Sequence, residues 1–269
     1  MSDAVNFPTT AAQHWDGLRG RTVLSDGPEK ILGVARSRPG WRWFQNPTGT
    51  REQIRARHIT ILKYRLAIFD SDGTLADTLP WMRSIFNELA EEHGFRRVES
   101  HEYGRFRDLH GGALLRELGL PLWKMPRVLS SMRRRMANDA GKLFLFPGMD
   151  KVLHLLAAGG VQLAIVSSNS RENVERILGM QNAKLIAHFA CGASIFGKAS
   201  RLRQVVRQSA VRPEQAIYIG DEIRDAEAAR KAGIAFGAVT WGQHSQEALG
   251  AQNPAETFAS VHEIADELC

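Results

Sequence analysis

The chain of 269 residues carries a net charge of +6, with 43% hydrophobic and 24% charged residues, and this composition excludes a disordered or fibrous protein. No apolar run is long enough to span a membrane, and the first residues lack the basic and apolar segments of a signal peptide. Because the only cysteines are Cys191 and Cys269, we expect neither a thiolate zinc site nor a structural disulfide, and we expect a cytoplasmic location.

Residues 1–62 form the first distinct region. They mix Gly, Pro and Trp with nine Lys/Arg against five Asp/Glu, and no hydrophobic period of 2 or 3.6 is sustained. We interpret them as an N-terminal extension, and disorder is one hypothesis for it. An alternative hypothesis is that the protein is a nucleic-acid-binding protein and not an enzyme, in which this Arg-rich segment binds nucleic acid and the rest of the chain is a scaffold.

From residue 63 the pattern becomes that of an α/β protein. Short apolar runs at 66–69, 161–166, 216–219 and 234–239 predict buried strands, and helical periodicity lies between the later ones. Strands that alternate with helices indicate a parallel sheet covered on both faces. We therefore predict a Rossmann-like, doubly wound α/β core built from residues 63–79 and 147–269.

Residues 80–146 interrupt this alternation, because they contain helical patterns but no strand candidate. One predicted helix starts near Leu79 and is closed by Gly94, and others cover 113–118 and 129–136. The segment predicts a small α-helical cap domain inserted into the core. Its run of arginines at 133–135 is interpreted as a solvated helix face.

The first chemical signal follows the first predicted strand, where Asp70 and Asp72 are separated by one residue. Residues i and i+2 that leave a strand project in the same direction, so both carboxylates can converge on one point. Two adjacent anions destabilise a fold unless a cation or a catalytic role compensates. By itself the pattern is equally typical of an acidic turn that caps a helix.

The second signal is the polar segment 167–170 after the second predicted strand. Hydroxyls at a strand-to-helix junction suit an anion, since the N-terminus of the helix presents free N–H groups there. The alternative is an ordinary N-cap by Asn169 or Ser170. Both interpretations are compatible if Ser167 faces the ligand.

Two further signals complete the set. Lys198 lies in a glycine-containing loop before a helix predicted to begin near Ser200, and such a lysine is usually only solvated. The strand 216–219 leads into Asp221, Glu222 and Asp225, a cluster of the oxygen ligands that a hard cation requires. Favourable interaction with the helix dipole explains one of these acids but not three.

The four motifs, in this order and approximate spacing, resemble those of the haloacid dehalogenase superfamily of phosphohydrolases. The resemblance covers residues 63–269 and is strongest to the helical-cap branch that contains phosphoglycolate phosphatase and β-phosphoglucomutase. It implies that Asp70 is the nucleophile and that Asp72 is the acid and base. It also implies that Mg²⁺ is held by the Asp70 carboxylate, the Asp72 carbonyl and Asp221.

The resemblance also assigns supporting roles. Phosphate would be bound by the catalytic Ser167 and Lys198, and by Ser168, Gly73 and Thr74. Asp225 would orient the metal ligands or bound water, with Glu222 either sharing that role or acting as a solvated helix-start acid. In the cap loop, His110 and Gly111 could contact the leaving group, although a histidine beside two glycines is more often a turn residue.

The expected substrate is a small phosphorylated metabolite, with phosphoglycolate as one candidate, and we expect no membrane or nucleic-acid partner.

Dehalogenase chemistry is disfavoured because those relatives lack the second acid, which is Asp72 here. Phosphosugar mutases of the β-phosphoglucomutase type carry a histidine early in the first cap helix, and the matching position in this chain is Met82. Hydrolysis is therefore the preferred prediction, and a mutase is the second hypothesis. The oligomeric state, monomer or dimer, stays open.

Overall fold

The computed structural model describes residues 43–45, 51–53, 62–109, 111–192 and 197–269, and the chain divides into two compact units, residues 1–59 and 60–269. In the first unit the described residues form an antiparallel pair, β1 (Trp43–Gln45) and β2 (Arg51–Gln53). The sequence pattern had not predicted this pair. The hypotheses of disorder and of nucleic-acid binding concern residues that lie almost entirely outside those described.

The second unit contains a six-stranded parallel sheet with the order β5-β4-β3-β6-β7-β8. Its strands are β3 (Leu66–Phe69), β4 (Gln162–Val166), β5 (Ile186–Ala190), β6 (Ala216–Gly220), β7 (Ala235–Val239) and β8 (Glu256–Phe258). The four predicted strands are confirmed as the four central ones. The edge strands β5 and β8 had not been predicted, because β5 is only partly buried and β8 has three residues.

Apolar side chains cover both faces of the sheet, as expected for parallel strands. In β3 alternate residues belong to two different buried clusters: Ala67 and Phe69 pack in one, and Leu66 and Ile68 pack in the other. The helices after the cap segment are α5 (Met149–Ala158), α6 (Arg171–Ala183), α7 (Lys198–Ser209), α8 (Ile223–Ala232), α9 (Gln246–Gly250) and α10 (Glu263–Leu268). α5 and α10 cover the first face, and α7 and α8 cover the second. The predicted α/β fold is therefore confirmed.

Between β3 and α5 the described chain is helical. It contains α1 (Leu79–His93), α2 (Tyr103–Arg107), α3 (Gly111–Glu117) and α4 (Met125–Asp139), with three short 3-10 turns. α1 ends at Gly94, whose left-handed backbone (φ +63°) favours glycine. These helices form their own small cluster of buried residues around Phe106 and Leu118. Across the described ranges, no helix is both long and apolar enough to cross a membrane.

Candidate active site

The sheet order brings the four sequence motifs to one edge. β3 lies between β4 and β6, so Asp70, Ser167 and Asp221 emerge side by side at the carboxyl ends of three neighbouring strands. All three side chains are buried. This is the edge at which parallel α/β sheets bind their ligands.

Asp70 is held from two directions. Its Oδ1 accepts a hydrogen bond from the amide of Ser71 at 2.8 Å, and its Oδ2 accepts one from Nζ of Lys198 at 2.6 Å. Burial raises the pKa of Asp70 to about 7, although the Lys198 ammonium acts in the opposite direction. The carboxylate is thus positioned while its charge is only partly compensated.

Lys198 is one of the most buried charged residues, with only 2% of its surface exposed. Its ammonium joins Asp70 to Asp225, with 2.5 Å between Nζ and Oδ1 of Asp225. Burial by itself would lower the pKa of Lys198, but the carboxylates of Asp225 and Asp70 raise it above its usual value. The helix predicted to begin near Ser200 is confirmed as α7, which starts at Lys198 itself.

Asp221 is fully buried and fixed by two donors. Its Oδ1 accepts from the hydroxyl of Thr74 at 2.7 Å, and its Oδ2 accepts from the amide of Gln243 at 2.8 Å. Gly73 and Gly242 pack against it so closely that a Cβ at either position would come within 2.2 Å of an Asp221 atom. Burial and the neighbouring carboxylates, Glu222 foremost, raise the pKa of Asp221 well above its usual range.

These carboxylates fit a divalent cation. One oxygen from each of Asp70, Asp221 and Asp225 lies within 4.8 Å of the others, and all three residues are buried. The raised pKa values of Asp70 and Asp221 show that the single ammonium of Lys198 does not compensate this cluster, and a bound cation would stabilise the ionised carboxylates. Because carboxylate oxygens are the ligands that Mg²⁺ prefers, the donor set and its charge agree with that ion. The sequence placed Asp225 behind the metal ligands, and in the structure one of its carboxylate oxygens belongs to the same group of three.

Asp72 lies beside this cluster. The side-chain amide of Asn169 reaches both of its carboxylate oxygens, at 3.3 and 3.2 Å. Asn169 is itself oriented because its Oδ1 accepts from the side-chain amide of Asn173 at 3.1 Å. Burial raises the pKa of Asp72 above its usual value, although the hydrogen bond from Asn169 and the charge of Lys198 act in the opposite direction.

The segment after β4 contains the helix cap that was one interpretation of its sequence, and the phosphate-binding role of Ser167 stays a prediction. Ser170 is the N-cap of α6, and its side chain accepts from the amide of Asn173. Ser167 is fully buried, and its Oγ accepts from the amide of Asn169 at 3.1 Å. The carbonyl of Ser168 accepts from Nε of Arg133 at 2.9 Å, so Arg133 is not the solvated residue that the sequence predicted.

Glu222 and Arg224 form an ion pair at the start of α8, with 2.8 Å between Nη2 and Oε1. Glu222 and Asp225 also form a reciprocal capping box at this N-terminus. Burial opposes ionisation of Glu222, but the Arg224 guanidinium holds its pKa below the usual value. The pair is therefore locally neutral, and Glu222 is not a simple solvated acid.

A cavity of about 910 Å³ starts at Asp70 and Asp72 and continues among the helices α1 to α4. Gly111 and Met82 line it, whereas His110 lies outside the described residues. His244 also lines it: this imidazole is 5% exposed, and neither ring nitrogen has a hydrogen-bond partner in the described structure.

Sequence reasoning missed several residues that shape this site, notably Asn169, Arg133, Gln243 and His244. Asn169 had been considered only as a helix cap. Arg133 carried no local signal because it lies in an ordinary basic helix. Gln243 and His244 carried none because their contacts form only when the loop after β7 folds against Asp221.

Comparison with known proteins agrees with this geometry. Residues 67–239 match a family model described as "Haloacid dehalogenase-like hydrolase". A protein named phosphoglycolate phosphatase from Synechococcus elongatus is 36% identical over 188 residues, covering 70% of this chain and 89% of the relative. "Phosphoglycolate phosphatase 1" from Pseudomonas aeruginosa is 21% identical, over 74% of this chain and 78% of the relative.

Among solved structures, a haloacid dehalogenase-like family hydrolase from Streptococcus pneumoniae aligns with a TM-score of 0.63. The alignment covers 76% of this chain and 98% of that protein at 22% identity. At this identity the match establishes the fold alone.

Proposed function

This chain belongs to the haloacid dehalogenase-like hydrolase family and is similar to its phosphoglycolate phosphatases, and we propose that it hydrolyses phosphate monoesters with Mg²⁺ through an aspartyl-phosphate on Asp70. The observation that carries the proposal is the arrangement around Asp70. A buried carboxylate at the end of a central strand has Lys198 on one oxygen and two more carboxylates within 4.8 Å. That combination provides a nucleophile, a fixed positive charge and a cation site at one point.

In this proposal Mg²⁺ would be held by the carboxylates of Asp70 and Asp221 and by the carbonyl of Asp72, and when bound it would offset the repulsion between the phosphate and the nucleophile. Asp225 lies close enough to orient these ligands and also fixes Lys198. The two donors on Asp221, from Thr74 and Gln243, hold it in one orientation toward the cluster.

Asp70 would attack the phosphorus, which divides one difficult hydrolysis into two displacements. Asp72 would give its proton to the departing alcohol and then remove a proton from the water that cleaves the aspartyl-phosphate. The raised pKa of Asp72 suits the first of these tasks, and Asn169 holds its carboxyl group in place.

The phosphoryl oxygens would be bound by Ser167, Ser168, Lys198 and the backbone around Gly73 and Thr74. Two protons of the Lys198 ammonium are used by Asp70 and Asp225, which leaves the third for a phosphate oxygen. Such preoriented donors stabilise charge in the transition state without reorganising during the reaction.

The test is phosphate release from a panel of phosphomonoesters with Mg²⁺, and the name of the Synechococcus relative makes 2-phosphoglycolate a candidate substrate. We expect Asp70→Asn to lose at least about a thousandfold in kcat, since a neutral amide cannot act as the nucleophile. Asp77→Asn is the matched control, because Asp77 is exposed in the same loop. Full activity of Asp70→Asn would rule out the proposed nucleophile.

Two further measurements address the metal and the intermediate. Removing divalent ions with a chelator should abolish phosphate release, and added Mg²⁺ should restore it; full activity in the chelator would exclude the proposed ion. After acid quenching during turnover, the peptide that contains Asp70 should carry one additional phosphoryl mass. A wild-type enzyme that turns over with no such peptide would argue against the covalent step.

The mutase alternative makes a different prediction, namely an isomerised hexose phosphate instead of free phosphate. Met82, at the position where the mutase relatives carry histidine, lines the cavity with a side chain that cannot transfer protons. This observation supports hydrolysis, and product analysis with hexose phosphates would decide between the two reactions.

A further inference from the structure

The cavity beyond the catalytic carboxylates has a predominantly apolar wall. Met82 and Phe86 of α1 and Leu129 and Met132 of α4 contribute to it, and so does Leu109 after α2. Most of the polar groups lie at the core end, with the acids, Ser168, Gln243 and His244, and the cap helices add Arg83, Tyr103 and Arg116. A substrate with its phosphate at Asp70 would therefore place its leaving group among apolar side chains.

The size of the cavity indicates a leaving group larger than glycolate. Pockets that enclose ligands of drug size have volumes of roughly 300–1,000 Å³, and this cavity, at about 910 Å³, is near the upper limit. A two-carbon alcohol would leave most of this space to water. A larger alcohol would fill it and bring its apolar surface out of water, which favours binding.

The described cations of the cavity are either paired or exposed to solvent, so a carboxylate bound among the apolar side chains would have no buried, unpaired cation beside it. Among the described residues that line the cavity, the cations are Arg83, Arg116 and Arg224. Arg224 is paired with Glu222, and Arg83 and Arg116 are exposed, with the Arg83 guanidinium 5.7 Å from the centre of the Tyr103 ring. Within the part of the chain that the structure describes, no unpaired buried cation faces the apolar wall.

We propose that the preferred substrate is a phosphate monoester whose leaving group is an uncharged alcohol with a bulky apolar body, bound among the cap side chains. This inference rests on the proposed phosphatase activity and adds the class of leaving group to it.

A series of n-alkyl phosphates from ethyl to hexyl, assayed with Mg²⁺, tests the inference. Each methylene that becomes buried against the wall should raise kcat/KM by about fourfold, so hexyl phosphate, with its four additional methylenes, should exceed ethyl phosphate by roughly 250-fold. We also expect hexyl phosphate to exceed 2-phosphoglycolate. A flat series with 2-phosphoglycolate as the better substrate would overturn the inference and leave the phosphatase proposal intact.

A different assay result would show that the proposed phosphatase activity itself is wrong. If no ester in the series, 2-phosphoglycolate included, releases phosphate above the level of Asp70→Asn, the proposed function fails, and the inference fails with it.

A pair of matched variants locates the effect in the cap. Met132→Gln keeps the length of the side chain but places an amide in the apolar wall, so the ratio of kcat/KM between hexyl and ethyl phosphate should fall by about tenfold. Met180→Gln is the control, because Met180 is 73% exposed on α6 and does not line the cavity. An unchanged ratio in folded Met132→Gln, or an equal fall in both variants, would contradict the proposed wall. The alkyl series on the wild-type enzyme does not depend on either variant.

Discussion

The α/β core and the helical segment between β3 and α5 are packed in different ways. Every residue of β3 and β6 is buried, and side chains fill both faces of the sheet. The helical segment has a much smaller cluster around Phe106 and Leu118, borders a large cavity, and leaves Leu122 and Trp123 more than half exposed. The difference indicates that the core is tightly packed around the acids at the strand ends, whereas the helical segment is loosely packed around the cavity.

The two regions are nevertheless linked close to the site. Nε of Arg107 in α2 donates to the carbonyl of Gln243 at 2.9 Å, and Arg133 in α4 donates to the carbonyl of Ser168. The amide of Gln243 in turn holds Asp221. Hydrogen bonds from Arg107 and Arg133 thus tie the cap to the loops that carry the proposed catalytic groups.

The largest expected effect tests the core. Lys198→Met removes the only cation between Asp70 and Asp225 among the described residues, so we expect at least about a thousandfold loss of kcat. The buried carboxylates that remain should also lower the free energy of unfolding by about 3 kcal/mol. Phosphate release and urea unfolding measure the two effects, and Lys184→Met, at an exposed position, is the control. A variant with wild-type kcat would remove Lys198 from the proposed chemistry.

The next prediction compares packing directly. Leu153→Ala in the core should lower the free energy of unfolding by about 3–5 kcal/mol, because its fully buried site cannot collapse around the missing atoms. Leu118→Ala should cost less, about 2 kcal/mol, since Leu118 already borders the cavity. Chemical denaturation of both variants gives the two values. Equal losses would mean that the cap is as tightly packed as the core.

A smaller effect is expected at the link between the regions. Arg107→Ala removes the hydrogen bonds from α2 to the loop after β7, and we expect kcat/KM to fall by about tenfold because the cap is held less firmly over the site. Arg105→Ala on the same helix removes an exposed ion pair with Glu117 and a contact with the Phe106 ring, but no described hydrogen bond to the loop after β7, so it should leave kcat/KM unchanged. If both variants behave alike, the link has no special role.

The smallest effect concerns the N-cap of α6. Ser170→Ala removes the acceptor for the amide of Asn173, and we expect a loss of about 1 kcal/mol in unfolding free energy. Asn173 also orients Asn169, which holds Asp72. We therefore expect kcat to fall a few-fold even under conditions in which the variant is fully folded. Rescue of both properties by Ser170→Thr would support the cap as the cause, and an unchanged stability would argue against it.

Much of this architecture could be predicted because its signals are local. A buried parallel strand is a short apolar run, and an amphipathic helix has a 3.6-residue period, so the four central strands and most of the cap helices were recognisable. The edge strands β5 and β8 were not, since a partly buried strand with His188 in the middle, or one of three residues, lacks that signal.

The sequence by itself determined the α/β class, the helical insertion and the identity of the acids at the strand ends, because each depends on neighbours along the chain. Only the tertiary structure decided that Lys198 bridges Asp70 and Asp225, that Asn169 holds Asp72, and that the cap encloses an apolar cavity. The reason is that strand order sets which loops meet, and residues 128 positions apart, such as Asp70 and Lys198, become partners only after the sheet has formed.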